Sequence, residues 1–233
     1  MNELIFNGKS LSEFSAYVAS SNFLDGAQKD VESIAIPGRS GELQLDNRRF
    51  HNMTIRTTVY ITGNMQQNMA ALRNYLNSCG GYCRYEESLD PDHYRMASFV
   101  SAFEPYAYDR ISGAVTLEFN AYPQRWLKSG ERSVAITSGA SLRNPTMFGS
   151  HPVIRVVGSG ALNVNDVTIT VASNSFSYID IDCETMDAYC GALNANSYVA
   201  FSVDDRIVLK TEVNGFTFTG FTSVQITPKW FEI

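Results

Sequence analysis

The chain has 233 residues, with 18 lysines and arginines against 24 aspartates and glutamates, so its formal net charge is −6 at pH 7. The positive residues form no basic tail or stripe, which argues against binding driven by nucleic-acid phosphates. The sequence shows no basic leader and no apolar run near ~20 residues, which predicts a soluble protein with free thiols, made in a reducing cytoplasm and without a membrane partner. Val, Ile, Thr, Phe and Tyr recur throughout, so the composition predicts an all-β protein.

The first predicted elements are short strands with turn residues between them. Leu4-Ile5-Phe6 runs into Asn7-Gly8-Lys9, a pattern typical of a tight hairpin. Alternate residues from Met53 to Ile61 are apolar or Thr, and we expect them to share one buried face. Strands are predicted at residues 4–6, 17–23, 32–36, 42–45 and 53–61.

The segment Ile36-Pro37-Gly38-Arg39-Ser40-Gly41-Glu42-Leu43 interrupts two of these strands. Glycine adopts positive φ without a Cβ clash, and proline fixes its own φ at about −65°. The segment is therefore predicted to be a shaped loop that carries one arginine. Taken alone, it is an ordinary turn, because turns are built from these residue types.

One amphipathic helix is predicted from four apolar residues spaced four, three and four apart: Met65, Met69, Leu72 and Leu76. We expect Asn64 to cap its first turn, with Gln67 in the capping-box position, and Gly80-Gly81 to end it. The helix is expected to cover one face or opening of the first sheet.

Further strands are predicted at residues 81–85, 94–104 and 114–120, with a turn at 88–92. Polar residues after Trp126 suggest a boundary within 126–133, and we predict two domains, 1–128 and 129–233. The second domain has short strands at intervals of roughly 8–12 residues, which is typical of a β-sandwich. They are predicted at residues 153–157, 167–171, 178–182, 207–210, 216–219 and 223–229.

Catalysis has little support in the sequence. His93 stands beside acidic residues in the turn Asp90-Pro91-Asp92, where polar residues are expected anyway. The sequence contains no Gly-x-Ser-x-Gly elbow, phosphate loop or His-Glu-x-x-His motif. We therefore predict no enzyme activity and no catalytic residue, with a hydrolase that uses His93 or the carboxylates of residues 180–187 as an alternative.

Metal and cofactor binding are also not predicted. On a strand, Asp180, Asp182 and Glu184 would share one face and could converge on calcium. They lack the glycine-containing loop and further oxygen ligands of a calcium site, so we interpret them as a solvated strand face. Neither Cys79–Cys83 nor Cys183–Cys190 has the spacing of a zinc site.

Four groups of residues follow one another in an order shared with a known family. They are the 36–43 loop with the strand 53–61; Leu72-Arg73-Asn74-Tyr75-Leu76-Asn77 with Gly80-Gly81-Tyr82 and Asp90-Pro91-Asp92-His93-Tyr94-Arg95; Tyr178-Ile179-Asp180-Ile181-Asp182-Cys183-Glu184; and Ile226-Thr227-Pro228-Lys229-Trp230. In this order the chain resembles the distal tail proteins of siphophages, the Dit family.

The resemblance implies a mainly β fold, with an N-terminal sandwich- or split-barrel-like domain carrying one α-helix and a C-terminal galectin-like β-sandwich. It also implies a bacteriophage structural protein at the tail tip of the virion that forms a hexameric ring. The N-terminal domain would join the major tail tube protein to the baseplate hub, or tail-associated protein. The C-terminal domain would hold receptor-binding proteins, and DNA would cross the ring without specific binding.

A closed ring needs two different complementary patches on each subunit. We assign both to the N-terminal domain, and we expect its excess of acidic residues to contribute to the channel lining. Arg39 is expected to bind a carboxylate of a neighbouring subunit or to brace its own loop. The predicted interface residues are Pro37, Gly38, Arg39, Ser40, Gly41, Arg48, Arg49 and Arg56.

A second function remains open, in which the C-terminal sandwich binds host-surface glycans directly. Aromatic residues that stack on sugars would support it, although aromatics this frequent also build sandwich cores. The candidates are Tyr178, Tyr189, Tyr198, Phe201 and Trp230.

Overall fold

The computed structural model describes residues 2–203 and 206–233, with the side chains of all of them except Ala107 and Tyr108. Their contacts divide the chain into two units, residues 1–125 and 126–232. The predicted fold class is confirmed: the first unit is a β domain with an α-helix, and the second is a galectin-like β-sandwich.

The first unit contains ten strands and one α-helix among the described residues. They are β1 (Leu4–Phe6), β2 (Lys9–Ser10), β3 (Ala16–Ser21), β4 (Lys29–Ala35), β5 (Glu42–Phe50), β6 (Met53–Thr62), α1 (Met65–Ser78), β7 (Cys83–Glu87), β8 (His93–Phe99), β9 (Pro105–Tyr108) and β10 (Ser112–Ala121).

The main sheet of this unit is antiparallel and has the order β2-β1-β7-β8-β10-β6-β3. The predicted hairpin at Asn7-Gly8 joins β1 to β2, and both of its turn residues have positive φ. At the other end, the Val18 amide of β3 donates to the Asn2 carbonyl at 3.0 Å. Because Asn2 leads into β1, this bridge links β3, at one end of the sheet, to the segment before β1, the second strand from the other end.

The core of the first unit is built on the predicted alternation of β6. Met53, Ile55, Val59 and Ile61 are buried, and so is Thr57. The Thr57 hydroxyl is 2.6 Å from the Tyr85 hydroxyl, so its buried polar group has a partner. Aromatic rings fill the remaining space, with Phe6–Phe119 and Tyr85–Phe119 centroids 5.1 and 5.0 Å apart.

Helix α1 lies where the apolar spacing predicted it, with Met69, Leu72 and Leu76 buried in the same core. The prediction that the Asn64 side chain caps the first turn of α1 is wrong. The Asn64 side chain donates to the Gln67 side-chain oxygen at 2.9 Å and makes no bond to a backbone amide of the first turn. The two side chains satisfy each other, so the capping box does not form.

The described strands of the second unit are β11 (Arg125–Leu127), within which the unit begins, β12 (Val134–Ile136), β13 (Ser141–Asn144), β14 (Val153–Val164), β15 (Val167–Val171), β16 (Ile179–Asp182), β17 (Asp187–Cys190), β18 (Leu193–Asn194), β19 (Val199–Phe201), β20 (Glu212–Thr227) and β21 (Phe231–Glu232). The nine strands from β12 to β20 are joined in one antiparallel sheet, and β11 pairs with β21 outside it.

The long strands β14 and β20 connect the parts of this sandwich. The first half of β14 pairs with β16 and the second half with β15, while β20 runs along its other side. The register shifts between Val157 and Ala161, where Gly160 and Gly220 let the two backbones approach closely. The sequence predicted two strands at 216–219 and 223–229; the structure has one, because bulges bend a strand without ending it.

The predicted strand at 207–210 is also wrong, since Leu209 forms only an isolated bridge with Ser150. The physical reason is the buried Asn214 side chain, whose oxygen accepts from the Lys210 amide at 2.7 Å and whose nitrogen donates to the Lys210 carbonyl at 3.0 Å. These bonds occupy the backbone groups that a strand partner would use.

Candidate assembly surface

Strands β4 and β5 form a separate antiparallel ribbon, and we call residues 29–50 the arm. The two strands pair only with each other among the described residues. Their register places Ile34 opposite Leu43 and Glu32 opposite Leu45. Almost every residue of the arm is exposed. The arm is therefore longer than the two strands predicted around the 36–43 loop, and it stands outside the core.

The tip of the arm is the predicted loop. The Arg39 amide donates to the Ile36 carbonyl at 3.2 Å, which closes a turn with Pro37 at its second position. Gly38 follows with φ of 78°, the left-handed conformation that a Pro-Gly turn of type II requires. Pro37 and Gly38 thus fix the direction in which the tip presents the Arg39 side chain.

The two faces of the arm differ in polarity. Cross-strand partners lie on the same face of a ribbon, and residues two apart on a strand share it. One face therefore carries Ile34, Leu43 and Leu45, which are 41, 53 and 50% exposed. Glu32 is the charged residue on this face. We call these four residues the apolar face of the arm.

The base of the arm is held by charged groups. Asp30 accepts from the Arg49 guanidinium and from the Asn47 amide at 3.1 Å, and these bonds lower the pKa of its carboxyl group. Asp46 bonds to the Lys29 ammonium and, at 2.8 Å, to the Arg48 amide, which lowers the pKa of Asp46 in the same way.

The structure separates the predicted interface residues into three groups. Pro37, Gly38, Arg39, Ser40 and Gly41 form the tip of the arm, and Arg48 and Arg49 lie at its base.

Arg56 is not part of the arm. It lies on β6, where its Nε donates to Glu118 of β10 at 2.7 Å. Arg49 and Arg56 are thus already paired within the chain. The sequence interpretation missed the apolar face, although the alternation of Ile34 with Ile36 and of Leu43 with Leu45 was visible in it.

The structure also places the residues of the hydrolase alternative. His93 Nδ1 is 2.7 Å from Asp90 Oδ1, so the imidazole has an acidic partner. The other oxygen of Asp90 is 3.3 Å from the Arg125 guanidinium, so the carboxylate is shared between two groups. A hydrolase would in addition need a nucleophile beside the imidazole.

Three of the four carboxylates in residues 180–187 each bind a different cation. Asp180 accepts two bonds from Arg155, at 2.6 and 2.7 Å; Asp182 is 3.2 Å from the Lys229 ammonium; and Glu184 is 2.6 Å from Arg206. The interpretation as a solvated face is wrong for Asp180, which is buried beneath its arginine. Among residues 2–203 and 206–233, no cluster of three His, Cys, Asp or Glu side chains could hold a metal ion.

The aromatic candidates for glycan stacking do not form one exposed platform. Trp230 is buried in the core of the second unit, and Phe201 is partly buried against the same core. The Tyr178 ring is covered by the Arg155 guanidinium, 4.3 Å from the ring centroid. Tyr198 remains exposed on one side.

The fold places the chain among two-unit β proteins in which a helix-bearing β domain is followed by a sandwich, and known structures share it. The Dit protein of phage SPP1, described as a paradigm of the hub adsorption apparatus in phages that infect Gram-positive bacteria, matches with a TM-score of 0.78 and 14% identity over 100% of both chains. Two structures of the phage P2 baseplate in its activated conformation, with Ca and with Sr, match with a TM-score of 0.52 and 11% identity over 97% of both chains. The resemblance inferred from the sequence is thus confirmed at the level of the fold.

No family model and no curated protein matches the sequence. In the described part of the chain, none of the helices has the length and apolar character needed to span a membrane.

Proposed function

We propose that this chain is a distal tail protein of a siphophage, a non-enzymatic structural component that forms a hexameric ring at the tail tip of the virion. The observation that carries this proposal is the uncovered apolar face of the arm, in a chain whose whole length shares the fold of the SPP1 Dit protein. The function is assembly, and the arm is the element that joins one copy to the next.

The arm needs a partner for its own stability. A two-stranded ribbon is at best marginally stable in water without packing against another surface. Ile34, Leu43 and Leu45 each keep about half of their surface exposed, so covering them would contribute roughly 1 kcal/mol per residue, half of the value for a fully buried aliphatic side chain. About 3 kcal/mol per interface therefore becomes available when another copy covers this face.

The ring contact joins two different patches of the first domain, and rotation closes the ring. In this arrangement residues 1–128 contact the major tail tube protein on one side and the baseplate hub on the other. Residues 129–233 hold receptor-binding proteins outside the ring, and DNA crosses a channel that binds it without specificity. The first domain carries 14 acidic against 11 basic residues up to Leu127, which suits a channel lining that does not retain phosphates.

The predicted interface arginines have different roles in this proposal. Among the described residues, the Arg39 guanidinium has no hydrogen-bond or ion-pair partner, so it is available to a carboxylate of the neighbouring copy. Arg49 braces the base of the arm through Asp30, and Arg56 braces the sheet through Glu118. Pro37, Gly38, Ser40 and Gly41 shape the tip, and Arg48 lies at the base.

The proposal is tested by light scattering and negative-stain electron microscopy of the purified chain, and by gold-labelled antibody against it on virions. We expect a multimer with a central hole and label at the tail tip. A monomer at all concentrations that binds glycans on an array would favour the glycan-binding alternative. Label elsewhere on the virion, or on no virion component, would overturn the proposed location.

A further inference from the structure

The first unit contains a groove that no part of its own chain fills. The groove has a volume of about 1100 Å³ and lies between α1 and the segment 103–110. This volume slightly exceeds the roughly 300–1,000 Å³ range of sites that enclose a drug-sized molecule, so several aliphatic side chains fit. The residues that matter here are Met65, Met69, Phe103 and Pro105 on its apolar side, and Arg73 and Arg110 as its basic groups.

The basic groups of the groove are available for a partner. Among the described residues, neither Arg73 nor Arg110 forms a hydrogen bond or an ion pair from its guanidinium. The one acid of the groove, Asp109, already accepts from the Ile111 and Ser112 amides at 2.7 and 2.8 Å. The groove therefore offers an apolar floor with positive charge beside it.

The apolar face of the arm has the complementary character. It presents Ile34, Leu43 and Leu45 together with one negative charge, on Glu32. The arm of the same chain leaves this face exposed, so it does not fill its own groove.

We propose that the groove of one copy binds the apolar face of the arm of the neighbouring copy, with Glu32 of the arm opposite Arg73 of the groove. This inference rests on the proposed ring, since arm and groove are the two different patches that a rotationally closed contact needs. The occupant is a second copy because both the apolar side chains and the charges match between these two surfaces. It also explains why both surfaces are unfilled in a single chain.

Disulfide trapping tests the contact in the full-length protein. Cys79 and Cys190, the two cysteines that are not buried, are first replaced by Ser. One protein then carries Leu43→Cys, and a second protein, made larger by an affinity tag, carries Gln66→Cys, an exposed residue of the groove. After mixing and mild oxidation, we expect a covalent dimer of one tagged and one untagged chain.

The matched control replaces Gln66→Cys by Thr54→Cys. Thr54 is an exposed residue at the other end of β6 from α1, roughly 25 Å away at 3.3 Å per residue. We expect at least a tenfold lower yield of mixed dimer with this control. Equal yields with both partners would overturn the inference.

Charge reversal tests the same contact without new cysteines. Glu32→Arg and Arg73→Glu are each expected to weaken self-association about three- to tenfold, the scale of a solvent-accessible ion pair turned into a repulsion. The double variant is expected to recover most of the loss. Glu42→Arg is the matched control, because Glu42 lies on the opposite face of the arm and its reversal should change association less than twofold.

The outcomes separate this inference from the proposed function. A multimeric ring in which Leu43→Cys does not cross-link preferentially to Gln66→Cys, and in which the double reversal gives no recovery, overturns the groove as the acceptor while the ring stands. Preferential cross-linking in a protein that never forms a closed multimer supports the arm–groove contact and contradicts the ring. A monomer without preferential cross-linking overturns both.

Discussion

Replacing Leu43 and Leu45 by Ser is expected to weaken self-association without unfolding the chain. Both side chains are already about half exposed, so the isolated fold loses little when they are shortened. The exposed half of each side chain becomes buried only when a second copy covers the arm. At roughly 1 kcal/mol per residue, the double variant loses about 2 kcal/mol per interface, which is about a 30-fold lower association constant.

Sedimentation equilibrium over a range of concentrations measures the association constant, and circular dichroism measures the melting temperature. The matched control is Leu89→Ser, because Leu89 has the same 53% exposure as Leu43 but lies in the turn after β7. We expect the control to leave the association constant within about twofold of the unchanged protein.

Two results would refute the reasoning behind this prediction. If the double variant associates as tightly as the unchanged chain, the apolar face of the arm is not part of an interface. If Leu89→Ser weakens association as much, the effect reflects general surface polarity and not the arm. A melting temperature that drops by more than a few degrees would show that the arm packs on its own chain.

Two further predictions concern the two folded units. Burial raises the pKa of Glu87, whose oxygen accepts from the Ser21 and Tyr85 hydroxyls, so the folded state holds the proton more tightly than the unfolded state. The free energy of unfolding should therefore fall as pH rises from 4.5 through the raised pKa. Urea titrations at several pH values should show that Glu87→Gln removes this slope, and the same pH dependence in the variant and the unchanged protein would contradict the prediction. In the second unit, Gly220 has a φ of 84°, and a Cβ there would lie 2.5 Å from the backbone oxygen of Ser159. Gly220→Ala should therefore lower the free energy of unfolding by about 2–4 kcal/mol, whereas Gly215→Ala, with open space around its Cβ, should lower it by about 1 kcal/mol or less. Equal losses of unfolding free energy in the two variants would contradict the close approach at the bulge.

Elements that face one core were predictable from their sequence period. The alternation from Met53 to Ile61 and the four–three–four spacing from Met65 to Leu76 each describe one buried face, and the structure has both. In these cases the chain itself supplies the covering surface, so the pattern and the burial agree.

Other features depend on distant residues that a local pattern does not contain. The sequence around Gly220 resembles a turn, and only the close approach of Gly160 makes it a bulge within one strand. Residues 207–210 have the composition of a strand, but the Asn214 side chain hydrogen-bonds to the backbone amide and carbonyl of Lys210, so these groups do not pair with a strand.

The arm shows a third limit of sequence reasoning. The sequence predicted two strands and a loop here, but it did not show that Ile34, Leu43 and Leu45 share a face that the same chain leaves exposed. Alternating apolar residues predict that one face of a strand is buried, but they do not predict whether the same chain or another molecule covers that face.

Hydrogen–deuterium exchange of the arm tests the central claim most directly. The amides of residues 31–46 are compared between the dilute free chain and the chain in intact virions. An uncovered ribbon opens readily, so its amides should exchange fast in the free chain and at least tenfold more slowly when a second copy covers the arm. Equal exchange rates in both states would contradict the claim that the arm is the contact between copies.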